Sequence, residues 1–149
     1  MVVDTNIVFS GILNSNSKIG ELLIKSKDYF YYFSVDQLKK ELQKHKRKIQ
    51  GIANYSDEEY NEAKELIISK IKFIRDTLIP KTDLLHAEEF LREIDLDDTI
   101  FLALSIHLNA KLWTGDLELI NGLNRKGYKN TITTQELFGI YLKKETSKK

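Results

Sequence analysis

The spacing of apolar and polar positions changes several times along the chain, and each change marks a new element. Met1–Val3 is a short β-branched run that stops at Asp4. Over Thr5–Leu13, Ile7, Val8, Gly11 and Ile12 fall at helical spacing. Asn14–Ser17 is a polar break, and Ser17 is placed to cap a second helix, Lys18–Lys25, with Ile19, Leu22 and Leu23 on one face. Tyr29–Ser34 is short and aromatic, the pattern of a buried strand. A helix is expected from Val35 to about Ile49 along the apolar line Leu38, Leu42, His45 and Ile49. Ser56, with Glu59 three residues on, makes a capping box. The helix behind it reads as the longest of the chain, because Tyr60, Ala63, Ile67, Ile71, Ile74 and Leu78 recur at three and four. Leu66, Ile68 and Phe73 widen that face, so a neighbour or partner is expected over its far side, and Pro80 ends the helix.

Asp83 is placed to cap a helix reaching about Ile94. Asp95-Leu96-Asp97-Asp98 then precedes Thr99–Leu108, which is apolar nearly all round and therefore expected at the centre of the fold. Lys111–Thr114 reads as a strand, Gly115 as a turn, Asp116–Arg125 as a helix and Asn130–Thr133 as the last strand. Thr133 or Thr134 caps a closing helix through Leu142, and the Lys-rich end is expected to fray. Strands alternating with helices predict an α/β fold, with a mainly parallel sheet of four to five strands and helices on both faces. With no internal repeat, low-complexity segment or linker, the reading is a single domain over 1–143 and a basic C-terminal tail over 144–149.

Composition narrows the chemistry. The 149 residues are 42% hydrophobic and 30% charged, a globular balance that needs no staples. There is no cysteine, which excludes a disulfide framework, a thiolate zinc site, an iron–sulfur cluster and a cysteine nucleophile, and fits a reducing cytoplasm. The net charge of +1 excludes a uniformly basic coat, so any nucleic-acid site must be a local patch. No apolar run is long enough for a transmembrane helix, so no membrane partner is expected. The opening MVVDTNIVFSGIL has neither a basic start nor a small-residue cleavage site, so no signal peptide is read. Gly115 and Gly122 are isolated, which leaves ATP use without a phosphate-binding loop.

The carboxylates are better placed than composition suggests. Ligands of open α/β sheets bind beyond the carboxyl ends of the strands. Asp4 and Asp116 each follow a predicted strand at that edge, although each alone also suits a helix cap. Glu41 shares a helix face with Leu38, Leu42 and His45. On the core side its charge would be desolvated at considerable cost unless a cation compensates; at the margin of the stripe it would sit in water or beside a lysine. Asp97 and Asp98 open the most apolar helix, where the helix dipole favours them, in a cluster larger than a cap requires. If the fold gathers these acids, their repulsion raises their pKa values unless a cation sits between them. Oxygen-only ligation without a Cys or His cluster selects Mg²⁺ or Mn²⁺ over Zn²⁺. Such ions organise an attacking water and stabilise charge on a phosphodiester. His45, His86 and His107 are scattered and read as structural or surface residues.

Asp4-Thr5-Asn6, Glu41 in its helix, Asp98 opening Asp-Asp-Thr-Ile-Phe-Leu-Ala-Leu, and Thr114-Gly115-Asp116 after a strand together resemble the PIN-domain family, over nearly the whole chain and in order. The stretch from Asp95 to Leu119 carries most of the likeness. The resemblance implies a three-layer α/β/α fold. It also implies a metal-dependent endoribonuclease, many members being toxins of type II, VapBC-like toxin–antitoxin pairs. It implies that Asp4, Glu41, Asp98 and Asp116 hold one or two Mg²⁺ or Mn²⁺ ions, and that Thr5, Asn6 and Thr114 support them by hydrogen bonds. The implied reaction is hydrolysis of an RNA phosphodiester, by a homodimer whose cleft a small antitoxin often blocks. In three places the chain departs from the pattern. The first strand opens almost at Met1, implying a short central strand or a truncated start. Asp98 is preferred as third ligand for its distance to Ala103-Leu104, with Asp97 the second choice. The Ser56–Leu78 helix is longer than in minimal toxins.

Lys39, Lys40, Lys44, Lys46, Arg47 and Lys48 cluster on the helix that carries Glu41. Lys40, Lys44 and Arg47 are the candidates for phosphate contacts, against the alternative of a solvated helix face. Tyr29, Tyr31 and Tyr32 are either base-stacking residues or core. Two other functions compete with the nuclease. One is a phosphatase with Asp4 as nucleophile, which ordinarily wants an acid where Asn6 stands. The other is a catalytically weak module of the same fold that binds RNA or protein.

Overall fold

The computed structural model describes residues 1–148. Among the described residues, five strands form one sheet: β1 (Val2–Val3), β2 (Tyr32–Val35), β3 (Ile71–Ile74), β4 (Leu112–Trp113) and β5 (Thr131–Ile132). Their order is β3-β2-β1-β4-β5, and every pairing is parallel. Between them run α1 (Thr5–Leu13), α2 (Lys18–Lys25), α3 (Gln37–Lys44), α4 (Lys46–Ala53), α5 (Asp57–Ile68), α6 (Lys81–Leu91), α7 (Thr99–Leu108), α8 (Leu117–Arg125) and α9 (Thr134–Ser147). Parallel crossovers are right-handed. Chain travel from β1 to β3 therefore sets α1–α5 on one face, and the return through β4 to β5 sets α6–α8 on the other. Helix α9 comes back against α2.

This is the three-layer α/β arrangement expected, with the sheet at the upper end of the expected size. The central strand is short, as the sequence implies: β1 is two residues long, both without solvent exposure. It survives because β2 and β4 pair with both its edges and α7 packs across β1, β2 and β4. The apolar character of Thr99–Leu108 follows from that position, since Phe101–Ser105 are all buried. Ser17 and Ser56 cap α2 and α5 as read, the latter with the full capping box, and Thr133 rather than Thr134 caps α9.

Five expectations need correction. Asp83 does not cap its helix: α6 starts at Lys81 behind Pro80, carries Asp83 in its first turn, and stops at Leu91 rather than Ile94. The long helix over Ser56–Leu78 is instead α5, strand β3 and a 3₁₀ turn over Asp76–Leu78. Ile71, Phe73 and Ile74 satisfy helical spacing, yet Ile71 and Phe73 also alternate with exposed Lys72, and pairing with Tyr32–Val35 decides for the strand. The oversized helix therefore disappears as a departure from minimal toxins. The helix over Val35–Ile49 is two helices, broken where His45 takes φ −101° and ψ 10°. Lys44, Lys46, Arg47 and Lys48 crowd like charges on that turn, which weakens a continuous helix. The second strand begins at Tyr32, leaving Tyr29 and Phe30 outside it. The closing helix runs past Leu142 to Ser147.

Candidate metal centre at the carboxyl edge of the sheet

Strand order reverses beside β1, between the chain leaving toward β2 and the chain returning at β4, and ligands of such sheets collect at this switch. Register sets Val3 opposite Trp113, so Asp4 and Thr114 leave the sheet side by side. Asp4 turns at once into α1 and caps it: its Oδ1 accepts the Ile7 N–H at 3.0 Å, and only 6% of the residue is exposed. Asp116 repeats the arrangement on α8, accepting the Leu119 N–H at 3.1 Å and donating its own N–H to the Thr114 hydroxyl at 3.2 Å. Each cap engages one carboxylate oxygen, so both leave the second oxygen free of capping.

Asp98 differs. It occupies the cap position of α7 and makes no capping hydrogen bond, while Asp95 turns the preceding 3₁₀ segment by accepting the Asp97 N–H at 2.9 Å. Capping therefore accounts for Asp95 and does not account for Asp98. Glu41 is part-buried on α3; the Thr5 hydroxyl donates to its Oε2 and Gln37 Nε2 donates to its Oε1 at 3.1 Å. It lies at the margin of the apolar stripe, oriented by uncharged donors.

Asp4, Glu41, Asp97 and Asp98, with Asp95, line one cavity of about 360 Å³, and Thr5 and Asn6 line it too. Asp116 lines an adjoining cavity of about 170 Å³, which Asp95 shares. The charges nonetheless act together. Burial raises the Asp4 pKa to about 6; the Ile7 N–H and the Thr114 hydroxyl oppose that rise, and the charges of Asp116 and Glu41 add to it. Asp98 is pushed up to about 7, first by burial and then by Asp4, Asp95, Asp116 and Asp97.

No three His, Asp or Glu side chains among the described residues stand in an arrangement that closes on one ion. Their chemistry still fits a hard divalent cation. The acids repel one another in a desolvated cleft, and a cation between them offsets both costs. Mg²⁺ retains several waters and needs only one or two protein carboxylates, so a closed cage is not required.

Of the candidate phosphate contacts, Lys44 lines a groove continuous with the cavity, whereas Lys40 and Arg47 are exposed on α3 and α4 and line neither. His45, expected as a structural or surface residue, and Lys48, one of the basic cluster but not among its three candidate phosphate contacts, both line the acidic cavity. The signal for His45 is its spacing, four residues after Glu41 on the same helix face. Lys46 is turned to Asp57 at 3.6 Å and Lys39 lies over the Phe73 ring, so these two belong to the solvated face. His86 and His107 are exposed, the latter 3.2 Å from Asp83. The tyrosines are at the other end of the sheet. Tyr32 is core, hydrogen-bonded with Ser26 at 2.5 Å, and Tyr31 precedes β2 at the amino edge, away from the acids.

No curated protein is significantly similar to this chain. The PIN-domain family model matches residues 2–142, which spans every strand and all but the end of α9. With the acids of the sequence pattern converging on the sheet's switch point, the chain belongs to the PIN-domain family.

Proposed function

We propose that this chain is a metal-dependent endoribonuclease. PIN domains as a class are nucleases, which supports hydrolysis of a phosphodiester at the coarse level. The single observation that carries the reading is Asp98: a half-buried carboxylate that caps nothing, shares one cavity with Asp4 and has its pKa raised to about 7. A structural carboxylate would be hydrogen-bonded or exposed; one kept desolvated among other acids is in place for a cation.

In this reading Asp4, Glu41, Asp98 and Asp116 hold Mg²⁺ or Mn²⁺, with Asp97, the exposed neighbour, second to Asp98. The ion, when bound, neutralises the phosphate and supplies Lewis acidity. The chain does the rest. Asp4 and Asp116 are fixed by their helix caps, and Thr5 and Gln37 aim Glu41. Thr114 joins the Asp4 and Asp116 segments. Lys44 and Lys48 meet the phosphates. A water oxygen attacks phosphorus, the P–O bond to the leaving ribose breaks, and a proton passes to that oxygen. Asn6 is exposed and supplies no acid beside Asp4, which disfavours the aspartyl-phosphate route.

The same reading extends to a cytoplasmic toxin of a type II pair, working as a homodimer and restrained by an antitoxin. Exposed Leu78 and Leu85 give such partners apolar surface. The test is cleavage of single-stranded RNA in Mg²⁺ or Mn²⁺, with Asp4→Asn and Asp116→Asn inactive yet folded. Cleavage surviving in both variants, or in excess chelator, rejects the enzyme. Tight RNA binding without turnover favours the binding module instead.

A further inference from the structure

The acidic cavity does not end at the acids. A second cavity, of about 510 Å³, opens from it and shares Glu41, His45 and Asp97 with it. Its size falls within the range of about 300–1,000 Å³ typical of small-molecule sites. Its two walls differ. The α3 wall carries Gln37 and Lys44, and the opposite wall, from α6, the 3₁₀ turn over Leu96–Asp98 and the start of α7, carries Leu84, Leu96 and Ile100. Leu96 is 55% exposed, although it borders a cluster of carboxylates. Together Leu84, Leu96 and Ile100 give that wall a continuous apolar lining next to the acidic cavity.

Resting on the nuclease reading above, we infer that this groove receives the nucleotide adjoining the scissile phosphate, its base unpaired and laid against Leu84, Leu96 and Ile100. The phosphate beyond it then meets Lys44, and Gln37 and Thr99 offer hydrogen-bond partners to the base edge. The groove lies between α3 and α6. Lys44 offers a phosphate one cation on the α3 wall, and the opposite wall offers an apolar surface to a base.

The inference is tested with short single-stranded RNAs bearing one cleavable site. In one series each nucleotide flanking that site is replaced in turn by an abasic sugar, and kcat and KM are measured for the unaltered protein and for Leu96→Ser. Removing the base on one side raises KM about tenfold for the unaltered protein, the scale of losing one apolar contact. Leu96→Ser raises KM similarly on intact RNA, and its penalty for the abasic substrate is largely lost, because both changes remove the same contact. kcat changes little in either case. Equal KM for intact and abasic RNAs on both sides overturns the groove assignment and leaves the nuclease standing. Absence of cleavage of any RNA by the unaltered protein overturns the nuclease reading itself, and the assignment with it.

Discussion

The Thr5 hydroxyl donates to Glu41 and ties the first residue of α1 to the middle of α3, 36 positions away in sequence. Gln37 holds the other oxygen of the same carboxylate at 3.1 Å. Unlike Asp4 and Asp116, Glu41 is not fixed by a helix cap, so these two donors set its direction. Thr5→Val keeps the side chain's shape and the helix start but removes the donor. Loss of such a supporting bond typically costs about 10–100-fold in activity or metal affinity. Cleavage rate should fall by that amount with the unfolding midpoint nearly unchanged, and a variant of unaltered activity counts against Glu41 as a ligand.

Asp97 and Asp98 are adjacent in sequence and unequal in surroundings. Asp97 is exposed, whereas Asp98 is part-buried and repelled by four other carboxylates. Asp98→Asn should therefore reduce cleavage by more than about 100-fold, a loss of about 3 kcal/mol or more of transition-state stabilisation. Asp97→Asn should cost less than about tenfold. Parallel rate measurements on the two variants decide the matter, and the reverse ranking would transfer the role to Asp97.

How much of this was readable beforehand depended on which interactions were local. The ends of α1 and α2, the capping box of α5 and, to within one residue, the cap of α9 were legible because caps and periodicity lie within a few residues. Strand β3 was hidden because Ile71 and Ile74 fit helical spacing, and only pairing with β2 distinguishes the two. Of the site, Asp4 and Asp116 followed from strand ends, and capping was correctly anticipated as their second role. Which of Asp95 and Asp98 capped the turn was not legible, since both stand before the same helix and backbone geometry alone assigns them. Lys48 was not preferred among the six cations of one stretch, because the break between α3 and α4 at His45, which decides which of them face the cavity, was not legible.

The turn that joins α1 to α2 allows a stability test remote from the site. A Cβ built on Gly20 would lie 2.4 Å from the Ser15 carbonyl oxygen, a backbone atom that cannot swing aside. Gly139 is also helical, in α9, and meets nothing within 4 Å. Alanine improves helix propensity by about 1 kcal/mol at either position. At Gly20 overpacking, typically about 1–3 kcal/mol, outweighs that gain. Urea denaturation should show Gly139→Ala stabilised and Gly20→Ala destabilised; a stabilised Gly20→Ala would mean that the turn at Ser15 relaxes to make room.

Asp4 links stability to pH. Its pKa in the folded protein, about 6, lies above the unfolded value of 3.8, so the native state binds its proton more tightly than the unfolded chain does. The stability it contributes is complete below about pH 4 and is lost as pH rises through about 6. Each pKa unit is worth about 1.4 kcal/mol, so the metal-free protein forfeits on the order of 3 kcal/mol at pH 8 by ionising this buried group. Asp98, raised to about 7, acts in the same direction. Asp4→Asn retains a good helix cap and removes the charge. In chelator at pH 8 the variant should melt several degrees above the unaltered protein, at about 2–4 °C per kcal/mol, and the gap should close near pH 4. Added Mn²⁺ should then raise the melting point of the unaltered protein more than that of the variant, because the variant lacks one of the four carboxylates proposed to hold the cation. An Asp4→Asn protein less stable than its parent at pH 8 in chelator would mean that this carboxylate is held by its cap and not strained by its neighbours.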